Sequence, residues 1–280
     1  MRAAGLCVAL LCWAGALPAQ TMRPFTTFRQ LHGENRLAAR LEFAAGRLRV
    51  VPGTVTELYR MTLAYDADRF VPLSRYDAPE NAATLGVEPV GGPGLRVVSR
   101  HQLQQDAVVL LSPQPDLTLD VSLGAVEADL DLGGLRLTEL RLEAGASRSV
   151  VRFSQPNAVR CRTADISAGA AEVSILKIGN SRCDQVRIEG GIGRMTLDFG
   201  GAWTGSQRAE LSLAVTELRL RLPRQAGVRI TMDRFLASFE PTGLVRRGNV
   251  WETPGYEQAD RRLDLTLKTT VGGVRIDWTN

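Results

Sequence analysis

Apolar and polar residues alternate strictly through the second half of the chain. Leu130 and Leu132 alternate with Asp129 and Asp131, and the same two-residue period recurs in many short runs bounded by Gly, Pro or Asn. Such runs are typical of strands with one buried face, so the pattern predicts an all-β second half. The apolar residues of the other runs are Leu140 and Leu142; Val173 and Ile175; Val186 and Ile188; Met195, Leu197 and Phe199; Leu218, Leu220 and Leu222; Val228, Ile230 and Met232; Leu263, Leu265 and Leu267; and Val274, Ile276 and Trp278.

A longer period runs through the same strands. Turns of small residues open at Gly124, Gly145, Gly169, Gly191 and Leu213, at intervals of 21, 24, 22 and 22 residues. A unit of this length is too short for a four-stranded propeller blade, which needs about 40 residues. The period therefore favours a stacked β-solenoid, a single-layer β-helix. An ordinary sandwich with evenly spaced hairpins is the alternative.

Two cysteines follow the same period. Cys161 and Cys183 are 22 residues apart, and each stands eight residues before a turn, at Gly169 and Gly191. Equivalent positions on adjacent turns lie one strand spacing apart, about 4.8 Å, within the roughly 4.4–6.8 Å Cα separation of a disulfide. The spacing predicts a Cys161–Cys183 bridge, and two buried thiols on neighbouring turns are the alternative. A metal site would need two further ligands, and no histidine is near in sequence.

The first twenty residues have the pattern of a secretory leader. One basic residue, Arg2, precedes an apolar run from Leu6 to Leu17, and a small residue follows at Ala19. This arrangement is typical of a signal peptide, and the run is shorter than the about 20 residues that span a bilayer. We expect cleavage near Ala19 or Gln20 and export to the periplasm or the extracellular space. No integral membrane segment is expected in the remainder.

The region from residue 21 to 115 is less regular and is expected to be a β-rich N-terminal region. A short helix is expected between Phe28 and Leu41, and Ser112–Asp116 is the expected boundary to the solenoid domain, residues 116–280. An inserted or capping segment is expected at about residues 235–262, where the repeat lapses. The predicted strands of the N-terminal region are Arg40–Val51, Glu57–Ala64, Leu95–Ser99 and Ala107–Leu111.

The charge distribution argues against nucleic-acid and membrane-surface binding. The formal net charge is +4, one unit of which belongs to the leader, and basic and acidic residues are interleaved along the chain. No basic stripe or polybasic segment is present. Arg219, Arg221 and Arg224 alternate with leucines, which predicts the solvent face of a strand.

Several short motifs resemble those of the bacterial toast-rack family. They are Leu58-Tyr59-Arg60, Tyr65-Asp66, the Gly-Ala turns, Leu197-Asp198-Phe199-Gly200-Gly201, Leu222-Pro223 before Gly227-Val228, Phe235-Leu236-Ala237-Ser238-Phe239 and Gly272-Gly273-Val274-Arg275-Ile276. The resemblance covers nearly the whole chain after the leader and rests on turns and strand ends. It implies a helically wound β stack in an envelope protein. Several members of the family are joined to membrane segments and associated with envelope-stress sensing. The resemblance supplies no catalytic residues.

The candidate chemistry is sparse. The chain has two histidines, His32 and His101, and no zinc or calcium motif, so no metal or cofactor is expected. Ser174 and Lys177 fit the Ser-x-x-Lys pattern of a serine nucleophile, but that pattern belongs on a helix face and this stretch alternates as a strand. Trp203 and the other tryptophans after the leader, Trp251 and Trp278, are expected to pack in the protein.

Carboxylates are candidate catalytic groups because β-helical proteins include polysaccharide-degrading enzymes. Asp129 and Asp131 are expected to project from one strand face beside Glu127, with Glu172 and Glu189 on later turns. Paired carboxylates serve glycoside hydrolysis, and clustered ones can bind calcium. A solvated strand face is the simpler interpretation, with Arg148, Arg187 and Arg194 available to neutralise it.

Two classes of function remain. The first is a non-enzymatic exported envelope protein, a binding or scaffolding module whose partner is an unknown envelope protein or polymer. The second is a secreted carbohydrate-active enzyme of β-helical type, which requires a cleft lined by acidic residues with altered protonation. The absence of a recognisable catalytic motif favours the first.

Overall fold

The computed structural model describes residues 21–91 and 105–279. Within these ranges the chain is all-β, with sixteen strands in one sheet. The strands are β1 (Met22–Gln30), β2 (Arg36–Pro52), β3 (Glu57–Asp66), β4 (Phe70–Asp77), β5 (Ala82–Pro89), β6 (Asp106–Leu111), β7 (Asp116–Asp131), β8 (Arg136–Ala144), β9 (Arg148–Arg152), β10 (Cys161–Leu176), β11 (Cys183–Asp198), β12 (Gln207–Pro223), β13 (Gly227–Glu240), β14 (Val245–Arg247), β15 (Val250–Glu252) and β16 (Arg262–Thr279), with short 3-10 helices at Ile178–Ser181 and Tyr256–Gln258. The predicted leader, the predicted strand Leu95–Ser99 and His101 lie outside the described residues.

The long strands stack in parallel as successive turns, which confirms the β-solenoid. The spatial order is β2, β7, β8 with β9, β10, β11, β12, β16 and β13. Strands β8 and β9 together form one turn, since both lie between β7 and β10. The pairing is in register, so each position of the repeat forms a row across the stack.

Each long strand bends at a corner, which divides it into a first and a second arm. In β12, Leu213 and Thr216 are buried, whereas the two residues between them, Ala214 and Val215, are exposed. Two successive outward residues reverse the alternation, so both arms turn their apolar sides to a common core that contains Leu211 and Leu218. A segment after each second arm returns the chain to the next turn.

The predicted turn positions coincide with the corners of four turns. Gly124, Gly145, Gly169 and Gly191 occupy equivalent positions across the stack. The prediction of Leu213 for the next turn is wrong by one residue, because Leu213 pairs with Gly190 and leaves Ala214 at the corner. Without the glycine, the sequence offered no marker for this corner.

Strand β2 forms the first turn and connects the N-terminal region to the stack. Its first arm pairs with β5, which pairs with β4. Its second arm pairs with β6, followed by β3 and β1. The helix predicted between Phe28 and Leu41 is wrong: Phe28 lies in β1, and Leu37, Ala39 and Leu41 of β2 are buried with a period of two. Pairing with β7 on one side and β5 on the other imposes the extended conformation.

The last strand is inserted between two earlier ones. β16 pairs in parallel with β12 on one side and with β13 on the other, and the β14–β15 hairpin packs antiparallel on the start of β13. The predicted inserted or capping segment thus begins within β13, and its status as a separate unit stays a prediction, as does the boundary near residue 115. In the ranges described, no helix has the length and hydrophobicity needed to cross a membrane.

Candidate functional site

An open groove runs along the outer face of the stack, at the end of the first arm. Its volume is about 1250 Å³, and it crosses nine strands, from Val87–Pro89 of β5 to Asp233 of β13. In spatial order, each turn from β2 to β16 contributes three consecutive residues to the groove. The last of the three is the corner residue, the first points outward and the middle one faces inward, as in Ser167, Ala168 and Gly169 of β10. We call it the corner groove. It exists because the turns are in register, so one bend is repeated as a continuous depression.

One wall of the corner groove is a row of outward side chains, here called the outer row. In spatial order the outer row is Glu42, Ser122, Glu143, Ser167, Glu189, Ser212, Lys268 and Asp233. Glutamate and serine thus alternate over six successive turns. Carboxylates on every second turn are separated by two strand spacings, about 9.6 Å.

Two of the corner glycines leave no room for a side chain. A Cβ atom on Gly124 would lie 2.3 Å from the carbonyl oxygen of Ala44, and one on Gly191 would lie 2.7 Å from that of Gly169. Both distances are shorter than van der Waals contact allows. Glycine at these two corners therefore follows from the close stacking of the turns.

An apolar stripe borders the groove on the far side of the corner. Ile192, Val215 and Val271 are 65%, 47% and 37% exposed. They lie on three successive strands, β11, β12 and β16, and are paired in register. Each directly follows a corner residue of the groove, so a ligand in the groove would contact the stripe as well. The three residues thus form one contiguous row of exposed β-branched side chains.

The electrostatics of the groove differ from those of the arms. On the arms, carboxylates are paired with arginines on adjacent turns, as in Arg162–Glu139 at 2.6 Å and Arg187–Asp165 at 3.0 Å. Other pairs of this kind are Arg40–Asp120, Arg148–Glu172, Arg152–Asp129, Arg194–Glu217 and Arg221–Asp198. Within the described residues, Glu143 and Glu189 of the outer row make no ion pair or hydrogen bond. Glu42 of the same row lies 3.9 Å from Arg40. The groove therefore presents two carboxylates, Glu143 and Glu189, without the arginine partners that many carboxylates of the arms have.

The carboxylates singled out from the sequence do not converge on one site. Asp129 and Asp131 point outward from one strand, as predicted, but Asp129 pairs with Arg152 at 2.8 Å. The Oδ1 atom of Asp131 accepts hydrogen bonds from the backbone N–H groups of Gly133 and Ser154, at 3.0 and 3.2 Å. These two carboxylates are thus used to hold adjacent turns together.

The other acidic candidates lie on different arms. Glu172 is on the second arm of β10, where it lies between Arg148 and Arg194. Glu189 belongs to the outer row, on the first arm of β11. The row as a whole was not predicted from the sequence. Its signal was available, because each member from Ser122 to Ser212 stands two residues before a corner.

The remaining candidates have structural contacts. Cys161 and Cys183 form the disulfide that their spacing predicts, with a Cα separation of 4.1 Å that is shorter than the expected strand spacing. Trp203 is buried and its Nε1 donates to the carbonyl oxygen of Phe199 at 2.8 Å. Ser174 lies on β10 and Lys177 follows the end of that strand, so they share no helix face. Across the ranges described, no group of three or more His, Cys, Asp or Glu residues could hold a metal ion.

Burial raises the pKa of two phenols, Tyr59 in the N-terminal region and Tyr256 at the capped end of the stack. Burial, together with a hydrogen bond from the Tyr256 hydroxyl to Asp264, raises the pKa of Tyr256 to about 12. The guanidinium of Arg229 lies over the same ring, 4.0 Å from its centroid, and pairs with Glu252 at 2.6 Å. This cluster fastens β13 to the segment that follows it and lies apart from the groove residues.

Comparisons with known proteins identify the architecture. Residues 20–176, more than half of the chain, match the family described as the N-terminal domain of toast_rack. A candidate cell adhesion protein from Clostridium sporogenes is similar in structure, with 16% identity, a TM-score of 0.49 and coverage of 92% of this chain and 100% of its own. A candidate adhesin from Bacteroides fragilis has 11% identity, a TM-score of 0.42 and coverage of 91% and 97%. No curated protein matches the sequence.

Proposed function

Because the chain belongs to the family of toast-rack N-terminal domains, we propose that it is a non-enzymatic binding module and that the corner groove is its binding surface. The observation that carries this proposal is the continuity of the groove across nine paired strands. A ligand there would contact a rigid lattice of side chains at fixed spacing. Repetitive stacked proteins use such extended faces for recognition, because each turn adds a similar weak contact.

The proposal includes export. Residues 1–20 would be a leader that is cleaved near Ala19 or Gln20, which places the protein in the periplasm or outside the cell. The Cys161–Cys183 disulfide supports an oxidising compartment, where such bonds persist. The partner would then be an envelope protein or polymer. A contribution to envelope-stress sensing fits this location, with the groove detecting a component whose availability changes under stress.

The alternative, a carbohydrate-active enzyme, has less support. Asp129 is ion-paired with Arg152, and Asp131 accepts backbone hydrogen bonds from Gly133 and Ser154. Glycoside hydrolysis needs two carboxyl groups that face one another across a substrate. The contacts of Asp129 and Asp131 are explained by a structural role.

The binding function is tested by capture of envelope material with matched variants. The protein without residues 1–20 is immobilised and incubated separately with cross-linked envelope extract and with isolated cell-wall polymers. Ser167→Trp places a large side chain in the groove, and Ser174→Trp places it on the second arm of the same strand, β10, outside the groove. Both serines face outward, with Ser167 exposed and Ser174 half-buried.

We expect the wild type and Ser174→Trp to retain the same protein or polymer and Ser167→Trp to lose it. Equal capture by the two variants would place binding elsewhere, and no reproducible capture by the wild type would contradict the function. Circular dichroism and thermal unfolding of each variant establish that the comparison is between folded proteins.

A further inference from the structure

The dimensions of the corner groove limit the shape of its occupant. Eight intervals of about 4.8 Å separate the nine strands that it crosses, so its length is about 38 Å. A ligand that follows the whole groove is therefore elongated and contacts up to nine strands.

The direction of the groove limits how such a ligand is held. The groove crosses the strands, whose backbone N–H and C=O groups are already paired with the neighbouring turns from β2 to β13. A ligand along it adds no strand to the sheet, unlike peptides that bind at a sheet edge. Recognition must come from side chains, which here are the outer row and the apolar stripe.

The spacing of the carboxylates selects a ligand period. Glu42, Glu143 and Glu189 recur at every second turn, at intervals of about 9.6 Å. A polyproline II helix has three residues per turn and a rise of about 3.1 Å, so every third side chain repeats on one face after about 9.3 Å. In a β-strand the same-face repeat is about 6.6–6.8 Å, and seven residues of an α-helix span about 10.5 Å. The polyproline II period matches best.

The remaining lining chemistry favours a peptide over a simple polyamine. The unpaired carboxylates of Glu143 and Glu189 attract cationic groups, Glu42 shares its charge with Arg40 at 3.9 Å, and Lys268 ends the acidic part of the row at β16. Beside the row, Ile192, Val215 and Val271 form an apolar surface that can contact pyrrolidine rings or other apolar side chains. A ligand that uses both walls must carry cationic and apolar groups on different faces of one extended chain.

We propose that the corner groove binds a polyproline II segment of a partner protein with a basic residue at every third position. This inference rests on the groove being the binding surface. Three basic side chains lie opposite Glu42, Glu143 and Glu189, and the intervening residues contact the small corner residues. The apolar stripe begins at the strand of Glu189, so it contacts the residues of the ligand that continue past the basic side chain at that end.

The test uses two synthetic peptides of identical composition, each with three lysines and six prolines. One consists of three Lys-Pro-Pro repeats, which place all lysines on one face. The other begins Lys-Pro-Lys-Pro-Lys and ends in four prolines, which places the lysines on three different faces. Binding of labelled peptide to the protein without residues 1–20 is measured by fluorescence anisotropy at about 0.01 M and about 0.15 M salt.

We expect the three-residue repeat to bind about 2- to 30-fold more tightly at low salt, the effect of two additional exposed ion pairs. The preference should shrink at the higher salt. The double variant Glu143→Gln with Glu189→Gln should bind both peptides within about twofold of each other. Glu127→Gln, an exposed carboxylate on the second arm of β7 that does not line the groove, should keep the preference.

Equal affinity of the wild type for the two peptides would overturn the proposal. So would a loss of the peptide preference in Glu127→Gln as large as that in the double variant. So would binding of a Glu-Pro-Pro repeat with the same strength. Concentration-dependent dimers that Ser167→Trp abolishes would identify a second copy as the occupant instead. If the lysine peptides do not bind while Ser167→Trp still loses its envelope ligand, the peptide inference is wrong and the binding function stands. If the groove variants change neither the capture of envelope material nor the binding of the peptides, the binding function and the peptide inference are both wrong.

Discussion

The side chain of Asn157 forms a two-point hydrogen bond with the backbone of Leu137 on the preceding turn. Its Oδ1 accepts from the Leu137 N–H at 2.8 Å, and its Nδ2 donates to the Leu137 carbonyl oxygen at 2.7 Å. The same Nδ2 also donates to the carbonyl oxygen of Ser181 on the following turn, at 3.1 Å. Asn157 is 1% exposed, so one buried amide joins three successive turns where the strands have ended.

Replacement of this amide should be among the most destabilising polar changes in the return segments. Asn157→Ala would leave the buried N–H and C=O of Leu137 without partners, at about 1–3 kcal/mol for each group. We expect the free energy of unfolding to fall by about 2–4 kcal/mol, measured by urea denaturation. Asn249→Ala, at an exposed turn, should change it by less than about 0.5 kcal/mol. Similar values for the two variants would contradict the role of Asn157.

The disulfide should stabilise the stack by constraining the unfolded chain. It closes a loop of 22 residues between Cys161 and Cys183, for which the loop-closure estimate is about 3 kcal/mol. The double variant Cys161→Ala with Cys183→Ala should therefore lose about 2–4 kcal/mol of unfolding free energy. Reductant should lower the stability of the wild type and leave that of the variant unchanged. Free thiols in oxidised wild-type protein would contradict the bridge.

One glycine on β11 should be indispensable for close stacking. Gly193 has a φ of +151°, and a Cβ atom there would lie 1.9 Å from the carbonyl oxygen of Ala171. Gly193→Ala thus combines an unfavourable backbone conformation with a clash against a neighbouring strand, and should cost about 2–4 kcal/mol or prevent folding.

Gly205 provides the matched comparison. A Cβ atom on it would have no neighbour within 4 Å, and its φ is outside the left-handed range. Gly205→Ala should be neutral or stabilise the protein by up to about 1 kcal/mol, because it restricts the unfolded chain. Thermal unfolding of both variants measures the difference, and equal melting temperatures would show that the stack accommodates a methyl group at Gly193.

The pKa of Tyr256 predicts a stability change at high pH. Burial and the hydrogen bond to Asp264 raise this pKa to about 12, above the value of about 10 expected for an unfolded tyrosine. The folded state therefore keeps its proton where the unfolded state releases one. The contribution to stability is complete below about pH 10 and is lost as the pH rises to about 12.

Ultraviolet difference spectroscopy measures this titration directly. Tyr256→Phe should remove the most basic phenol while keeping the ring beneath Arg229. Its unfolding free energy should also depend less on pH between about 10 and 12 than that of the wild type. A titration curve that is unchanged by the substitution would assign the shifted pKa to another tyrosine.

The strands and the repeat could be predicted because they depend on local patterns. The alternation of Leu218, Leu220 and Leu222 determines which side of a strand is buried, whatever its neighbours are. The equal offsets of Cys161 and Cys183 from their corners determined the register of two turns. The helix predicted after Phe28 failed because the segment is weakly patterned and its conformation is imposed by pairing with other strands.

The order of the turns and the groove could not be predicted in the same way. Strands β13 and β16 have the same apolar alternation, so the pattern alone does not decide which of them pairs with β12. The outer row depends on a register that is set by six turns together. Single members such as Glu143 look like ordinary surface charges, and their lack of arginine partners becomes visible only when the strands are placed side by side.

The insertion of β16 separates the order of assembly from the order of synthesis. β13 leaves the ribosome first, and the open edge of β12 offers it a parallel partner with matching apolar residues. Native pairing requires that edge to remain free until residues 262–279 have been made, because β16 must bind β12 and β13 simultaneously. A direct β12–β13 pairing would therefore compete with the native order, and any such pairing would have to dissociate before β16 could enter between the two strands.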